Sequence, residues 1–211
     1  MLLEKDQTWR DADGLVPARF EQQFGRAEVP TSWPAVTVTL GDGRNVSFGG
    51  VIDRIDVVSG SSPRALIIDY KTGGVGSYAD TQDDPLWGGR HVQLAVYAQA
   101  LHNRLGESEP WDVSAEFRFV TARGGFKRLT VTAGPALDQR LGQVLQWVAD
   151  GVGTGTFLPV PGARDRGSFE HCGYCEYDRV CSVSRDETWE RKQGELQPLD
   201  GPARLTGEPP A

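Results

Sequence analysis

The order of local patterns along this chain predicts an α/β domain built on a mixed central sheet flanked by helices. Three observations carry that expectation. Strand-like and helical stretches follow one another as strands, helix, strands, helix. Two neighbouring apolar runs, over residues 50–58 and 65–71, show the period-two alternation of strands. The 211 residues fit one domain, or one domain with appendages, and can bury a sizeable core.

Taken in order, residues 1–12 predict a helix that ends at Asp13-Gly14. Val16, Ala18, Phe20 and Phe24 alternate with polar residues and predict a strand through Phe24. Pro30 and Pro34 bracket a turn. Val36 to Leu40, a Gly41-Asp42-Gly43 tip and the run from Val46 predict a hairpin. Its second arm is expected to continue through Gly49-Gly50 into Asp53 and Val58. Residues 59–63 turn the chain into the strand over residues 65–71.

Residues 72–90 are long for a loop and rich in Gly and Asp, so they are expected to form a functional, substrate-facing flap. Its acids Asp80, Asp83 and Asp84 read as solvated loop carboxylates. Residues 91–105 predict a helix with a stripe of Leu94, Ala98, Leu101 and Leu105, closed by Gly106. Residues 113–121 and 126–132 predict a strand pair around Gly124-Gly125. Pro135 then opens a helix carrying Leu137, Leu141, Val144, Leu145 and Val148, which Gly151, Gly153 and Gly155 end. Residues 193–211 are Pro/Gly-rich and polar, the composition of a disordered tail.

Composition narrows the classes. Apolar residues make up 38% of the chain, with 26 Gly and 13 Pro, a balance that favours many turns. No stretch approaches the roughly 18 apolar residues of a membrane-spanning helix. Met1-Leu2-Leu3 is followed at once by Glu4-Lys5-Asp6, without a secretory apolar region, so the chain reads as cytoplasmic. A net charge of −7 gives no support to a passive nucleic-acid-binding protein. Basic residues do gather locally. Arg118, Arg123, Lys127 and Arg128 flank one hairpin, and Arg164 and Arg166 precede the cysteines; solvated surface charge and a phosphate track are both open for them.

The chemistry concentrates in Gly50-Val51-Ile52-Asp53 and Asp69-Tyr70-Lys71. Strand alternation puts Ile67, Asp69 and Lys71 on one face and Ile68 and Tyr70 on the other. An acid and a lysine at the end of a buried strand are costly to desolvate without a partner. A divalent cation held by Asp53 and Asp69, with Lys71 facing the same space, supplies one. That layout suits a metal-dependent phosphodiester hydrolase. Asp56, three residues from Asp53, faces the other way and is assigned to a structural ion pair with Arg54 or a neighbouring strand. Gln93 and Tyr97 are i and i+4 on one helical face and can reach the same cavity together.

These residues, with Gln93-Leu94-Ala95-Val96-Tyr97, resemble the RecB-family nuclease domain of the PD-(D/E)XK superfamily, over roughly residues 16 to 185. Cys172-x2-Cys175-x5-Cys181 resembles the iron–sulfur variant found in AddB-type helicase–nucleases. The resemblance implies a restriction-endonuclease-like core and a Mg²⁺- or Mn²⁺-dependent exonuclease-type enzyme acting on single-stranded DNA or duplex ends in repair and recombination. It implies Asp53, Asp69 and the backbone carbonyl of Tyr70 as metal ligands, Lys71 as the charge-stabilising cation, and Gln93 and Tyr97 as positioning groups. Glu21 resembles an acid of the family on the first strand. A helicase subunit or domain is the implied partner. The chain has no GxxxxGK[ST] loop with which to hydrolyse ATP itself.

The resemblance also implies a histidine ligand before the first strand and a fourth cysteine upstream of it. His91, His102 and His171 all follow Asp53, and no further cysteine exists. Both absences point to a chain that starts inside the domain, with a 4Fe–4S cluster whose fourth ligand is missing. The organisation expected is a remnant N-terminal helix (1–15), a nuclease core (16–168), a cysteine-cluster segment (169–190) and a disordered tail (191–211). Free thiols, or a zinc site completed by His171 through a contorted backbone, are the alternatives for the cysteines. The alternative for the whole chain is a catalytically inactive module of the same ancestry that binds DNA ends or a partner. A zinc-type adaptor ranks behind both.

Overall fold

The computed structural model describes residues 2–76, 78, 84–86, 89–106, 111–155, 160–162, 164–165, 167–173 and 175–193. The chain divides into two compact units, Met1–Gln146 and Trp147–Ala211.

The first unit is a five-stranded mixed sheet in the order β1-β4-β5-β6-β7. Its strands are β1 (Val16–Phe24), β4 (Gly50–Val58), β5 (Arg64–Lys71), β6 (Asp112–Phe119) and β7 (Arg128–Thr132). β1 with β4, β4 with β5 and β6 with β7 run antiparallel, whereas β5 and β6 are parallel. A parallel neighbour needs a crossover. Residues 72–111 provide it, including helix α2 (Gln93–Leu105), which packs on β5 and β6. The expected α/β class with a mixed sheet is therefore the observed one.

Helix α1 (Leu2–Asp13) is polar nearly throughout. Leu15, just after it, joins Leu66 and Ile68 in a small apolar cluster on one face of the sheet. On the opposite face α2 buries Leu94, Tyr97, Ala98 and Leu101. Gly106 ends α2 with φ 72° and returns its N–H to the His102 carbonyl. The expected strand through Phe24 forms, but Val16 and Phe20 are exposed, because β1 is the sheet's edge. The expected hairpin also forms, as β2 (Val36–Thr39) and β3 (Asn45–Phe48). Its second arm does not run on into Asp53: β2 and β3 are a sheet of their own, and the chain changes sheets at Gly49. The reason is a close crossing. A Cβ on Gly25 would lie 2.6 Å from Gly49 Cα, so β1's end and β4's start pass with no room for side chains.

Helix α3 (Pro135–Thr154) starts at the expected proline and buries Leu137, Leu141, Val144 and Leu145. Val148 is exposed, and the helix continues through Gly151 and Gly153 before Gly155 takes φ 68°. Gln99 Nε2 donates to Asp138 Oδ1 at 3.1 Å and ties α2 to the start of α3.

The second unit holds the short hairpin β8 (Arg164–Asp165) and β9 (Ser168–Phe169), a 3₁₀ turn at Asp178–Val180, and α4 (Arg185–Gln193). Phe169 is buried, with the guanidinium groups of Arg164 and Arg185 each 5.5 Å from its ring centre. Among the described residues no helix is long and apolar enough to cross a membrane. The remainder of the expected tail, residues 194–211, lies outside the described residues, as do Asp80, Asp83 and Arg166.

Candidate active site

The register of the sheet brings the two acids together. β4 and β5 pair Arg54 with Ile68, so the next step along the ladder sets Asp53 across from Asp69. The same register sets Glu21 across from Asp53, between the Phe20–Arg54 and Gln22–Ile52 pairs. Beyond Arg54 and Ile68 the main-chain ladder stops. Tyr70 N–H donates instead to Asp53 Oδ2 at 2.8 Å. β5 stays paired to β6 as far as Lys71 and Phe119, which keeps Asp69 and Lys71 on firm backbone.

Asp69 is buried, at 3% exposure, and its Oδ2 lies 2.6 Å from Lys71 Nζ. Apart from that ion pair, Oδ2 has no hydrogen-bond partner among the described residues. Burial raises the Asp69 pKa above the ordinary aspartate value; Lys71 opposes the rise and the negative charge of Asp53 adds to it. A buried, under-satisfied carboxylate oxygen beside a second carboxylate suits a hard cation. Among the described residues no group of three or more His, Cys, Asp or Glu converges to hold an ion, so the site offers two carboxylates. Mg²⁺ commonly binds through one or two, completing its shell with water and phosphate oxygens.

Lys71 extends a chain of polar contacts. Its Nζ lies 4.9 Å from the Phe117 ring centre and donates to Gln93 Oε1 at 3.0 Å. Gln93 Nε2 donates to the Tyr97 hydroxyl at 2.8 Å. Lysine has no acceptor, so this order fixes the amide: its oxygen faces Lys71 and its nitrogen faces Tyr97. The Tyr97 hydroxyl accepts there and keeps its own proton to donate elsewhere. Burial raises the Tyr97 pKa; Gln93 opposes this, and the charges of Asp69, Asp53 and Glu21 raise it further. Gly50 seats that ring. A Cβ on Gly50 would come 3.0 Å from Phe24 and 3.7 Å from Tyr97, whose rings meet edge-on at 5.9 Å. Glu21 is exposed and has φ 49°, an uncommon conformation for a non-glycine residue within a strand.

The opposite face carries charges of another kind. Arg54 Nε donates to Asp56 Oδ1 at 2.6 Å, which is the structural ion pair expected of Asp56. Arg54 Nη1 reaches Asp6 of α1 at 3.0 Å and the Tyr70 hydroxyl at 3.1 Å. Arg118 bonds Glu116 and Asp6, and Arg128 Nε donates to Glu116 at 2.8 Å. Trp9 of α1 lies 5.3 Å from both the Arg118 and the Arg128 guanidinium carbons. Arg118, 1% exposed inside this network, is thus neither a phosphate track nor solvated charge, and the half-buried Arg128 is paired to Glu116. Sequence reading missed the network. Its signal was the helical spacing of Asp6, Trp9 and Asp13 in a helix polar nearly throughout.

Other expectations resolve locally. Asp84 is not a solvated loop acid: it pairs with Arg140 at 2.6 Å. His91 stacks on Tyr78 at 4.2 Å and meets Phe117 edge-on, a packing role near Lys71. His102 lies in the last turn of α2. His171 Nδ1 lies 3.1 Å from the Val160 carbonyl oxygen. Cys172, Cys175 and Cys181 are free thiols, and among the described residues they form no three-ligand group. Three cysteines are one short of the four that an iron–sulfur cluster takes.

Comparison with curated proteins finds no match to this sequence. Residues 1–182 match the family model of the PD-(D/E)XK nuclease superfamily. The match takes in every strand of the five-stranded sheet together with the Asp53, Asp69 and Lys71 positions. By that match, covering most of its length, the chain belongs to the PD-(D/E)XK nuclease superfamily.

Proposed function

We propose that this chain is a Mg²⁺- or Mn²⁺-dependent deoxyribonuclease of the RecB type that hydrolyses phosphodiester bonds in single-stranded DNA or at duplex ends. The observation that carries the reading is the buried Asp69 Oδ2, set across the ladder from Asp53 and met among the described residues by Lys71 alone. Asp53, Asp69 and the Tyr70 carbonyl would hold the ion. A bound divalent ion supplies an acidified water and neutralises charge on the phosphate.

The chain's own groups do the rest. Lys71 presents a compact positive charge to the developing negative charge of the phosphate. Gln93 orients that ammonium through its carbonyl oxygen and steers the Tyr97 hydroxyl with its amide. Tyr97, left with a proton to donate, would bind a phosphate oxygen. Phe117 packs beneath Lys71 and limits its rotamers.

We further read the chain as AddB-like, working in DNA repair beside a helicase, on the four ordered motifs from Asp53 to Cys181. Iron and sulfide analysis of anaerobically purified protein tests the cluster part of that reading. The nuclease reading is tested by cleavage of an end-labelled single strand. Mg²⁺ or Mn²⁺ supports cleavage, EDTA stops it, and Asp69→Ala and Lys71→Ala each slow it by about 100-fold or more. Cleavage at the wild-type rate in both variants would sink the assignment.

A further inference from the structure

The two faces of the sheet meet at one residue, Tyr70. Its N–H donates to Asp53 Oδ2 at 2.8 Å, and its hydroxyl accepts from Arg54 Nη1 at 3.1 Å. Asp53 and Arg54 are consecutive on β4 and point to opposite faces. Consecutive residues of one strand thus grip the same residue of the next from both sides. They do so where the main-chain ladder has ended, one step past the Arg54–Ile68 pair. At that level β5 is held by β6 on one side, and toward β4 this bracket stands in place of a backbone pair.

Arg54 is well fixed for the task. It is 5% exposed, and its donors are committed to Asp56 at 2.6 Å and to Asp6 at 3.0 Å as well as to Tyr70. Its own orientation therefore does not depend on Tyr70. The tyrosine depends on it: Tyr70 is 37% exposed, so burial alone does not hold its hydroxyl end. Asp53 in turn receives its hydrogen bond from a peptide whose side chain is tethered on the far face.

We propose that Arg54 is a positioning residue for the metal site, acting through the Tyr70 hydroxyl to fix the peptide N–H that orients the Asp53 carboxylate. This rests on the reading of Asp53 as a metal ligand. A purely structural Arg54–Tyr70 contact would contribute to stability and leave metal affinity alone. Tyr70→Phe separates the two, because it removes the hydroxyl and keeps both the ring and the N–H.

The experiment titrates Mn²⁺ into the full chain, followed by electron paramagnetic resonance, for wild type, Asp53→Asn and Tyr70→Phe. Thermal melts in EDTA run alongside. Loss of a direct outer-sphere partner commonly weakens metal affinity by about 10–100-fold. Since Tyr70→Phe retains the N–H, the expected weakening is about three- to tenfold, with an unchanged melting temperature. The Mn²⁺ concentration for half-maximal cleavage should rise by the same factor. Wild-type affinity in Tyr70→Phe, with Asp53→Asn defective, overturns the positioning role and leaves the metal site standing. Wild-type affinity in Asp53→Asn overturns the metal-site reading, and the positioning role falls with it.

Discussion

The two faces of the central sheet treat charge in opposite ways. Behind it, Asp6, Arg54, Asp56, Glu116, Arg118 and Arg128 form a continuous network in which each buried acid meets an arginine. In front, Asp69 is buried too, yet among the described residues its Oδ2 meets only the Lys71 ammonium, which also donates to Gln93. Desolvating charges is repaid only when geometry and hydrogen bonding are complete. The rear network meets that condition and serves to dock a polar helix. The front does not, and an under-satisfied buried carboxylate is kept where a ligand completes it.

The contrast breaks most visibly from behind. Arg118→Ala leaves Glu116, which is fully buried, and Asp6 short of a partner. It should cost about 3–5 kcal/mol of stability, read as a large fall in denaturation midpoint. A loss below about 1 kcal/mol would mean the rear network is ornamental. The front answers in rate rather than stability. Gln93→Ala frees Lys71 from its acceptor and Tyr97 from its donor. Losing one hydrogen bond to a charged group should slow cleavage by about tenfold with little change in melting; an equal rate would remove Gln93 from the site.

The smallest effect sharpens the comparison through pH. Burial raises the pKa of Asp69 in the folded chain. Its contribution to stability is therefore complete below the unfolded aspartate value of about 3.9 and is lost as pH rises through the raised folded value. Asp69→Asn has no such loss. In EDTA, the difference in melting temperature should move in favour of Asp69→Asn across that window, by a few degrees. A difference flat with pH would contradict the unsatisfied state of Asp69.

Much of this was legible in the residues, for a physical reason. Periodicity reports which side of a strand or helix is apolar, so the sheet class, α2, α3 and the shared face of Asp69 and Lys71 were readable. The shared helical face of Gln93 and Tyr97 followed from their spacing, and their role from the resemblance. Pairing across distant segments is not periodic. The Asp6 contacts with Arg54 and Arg118 join residues far apart in sequence, and a polar helix docked by charge looks like any solvated helix. Neither reading open for Arg118 foresaw its burial for that reason. The sheet change at Gly49 escaped notice because it is dictated by a backbone crossing with Gly25.

The claim at the centre is that Asp53 and Asp69 share an ion. A crystal of the chain grown with Mn²⁺, with data collected at the manganese edge, tests it directly. The account predicts an anomalous peak within about 2.0–2.6 Å of a carboxylate oxygen of each residue. A crystal saturated with Mn²⁺ that shows no peak between them, or a peak held by other carboxylates, would contradict it.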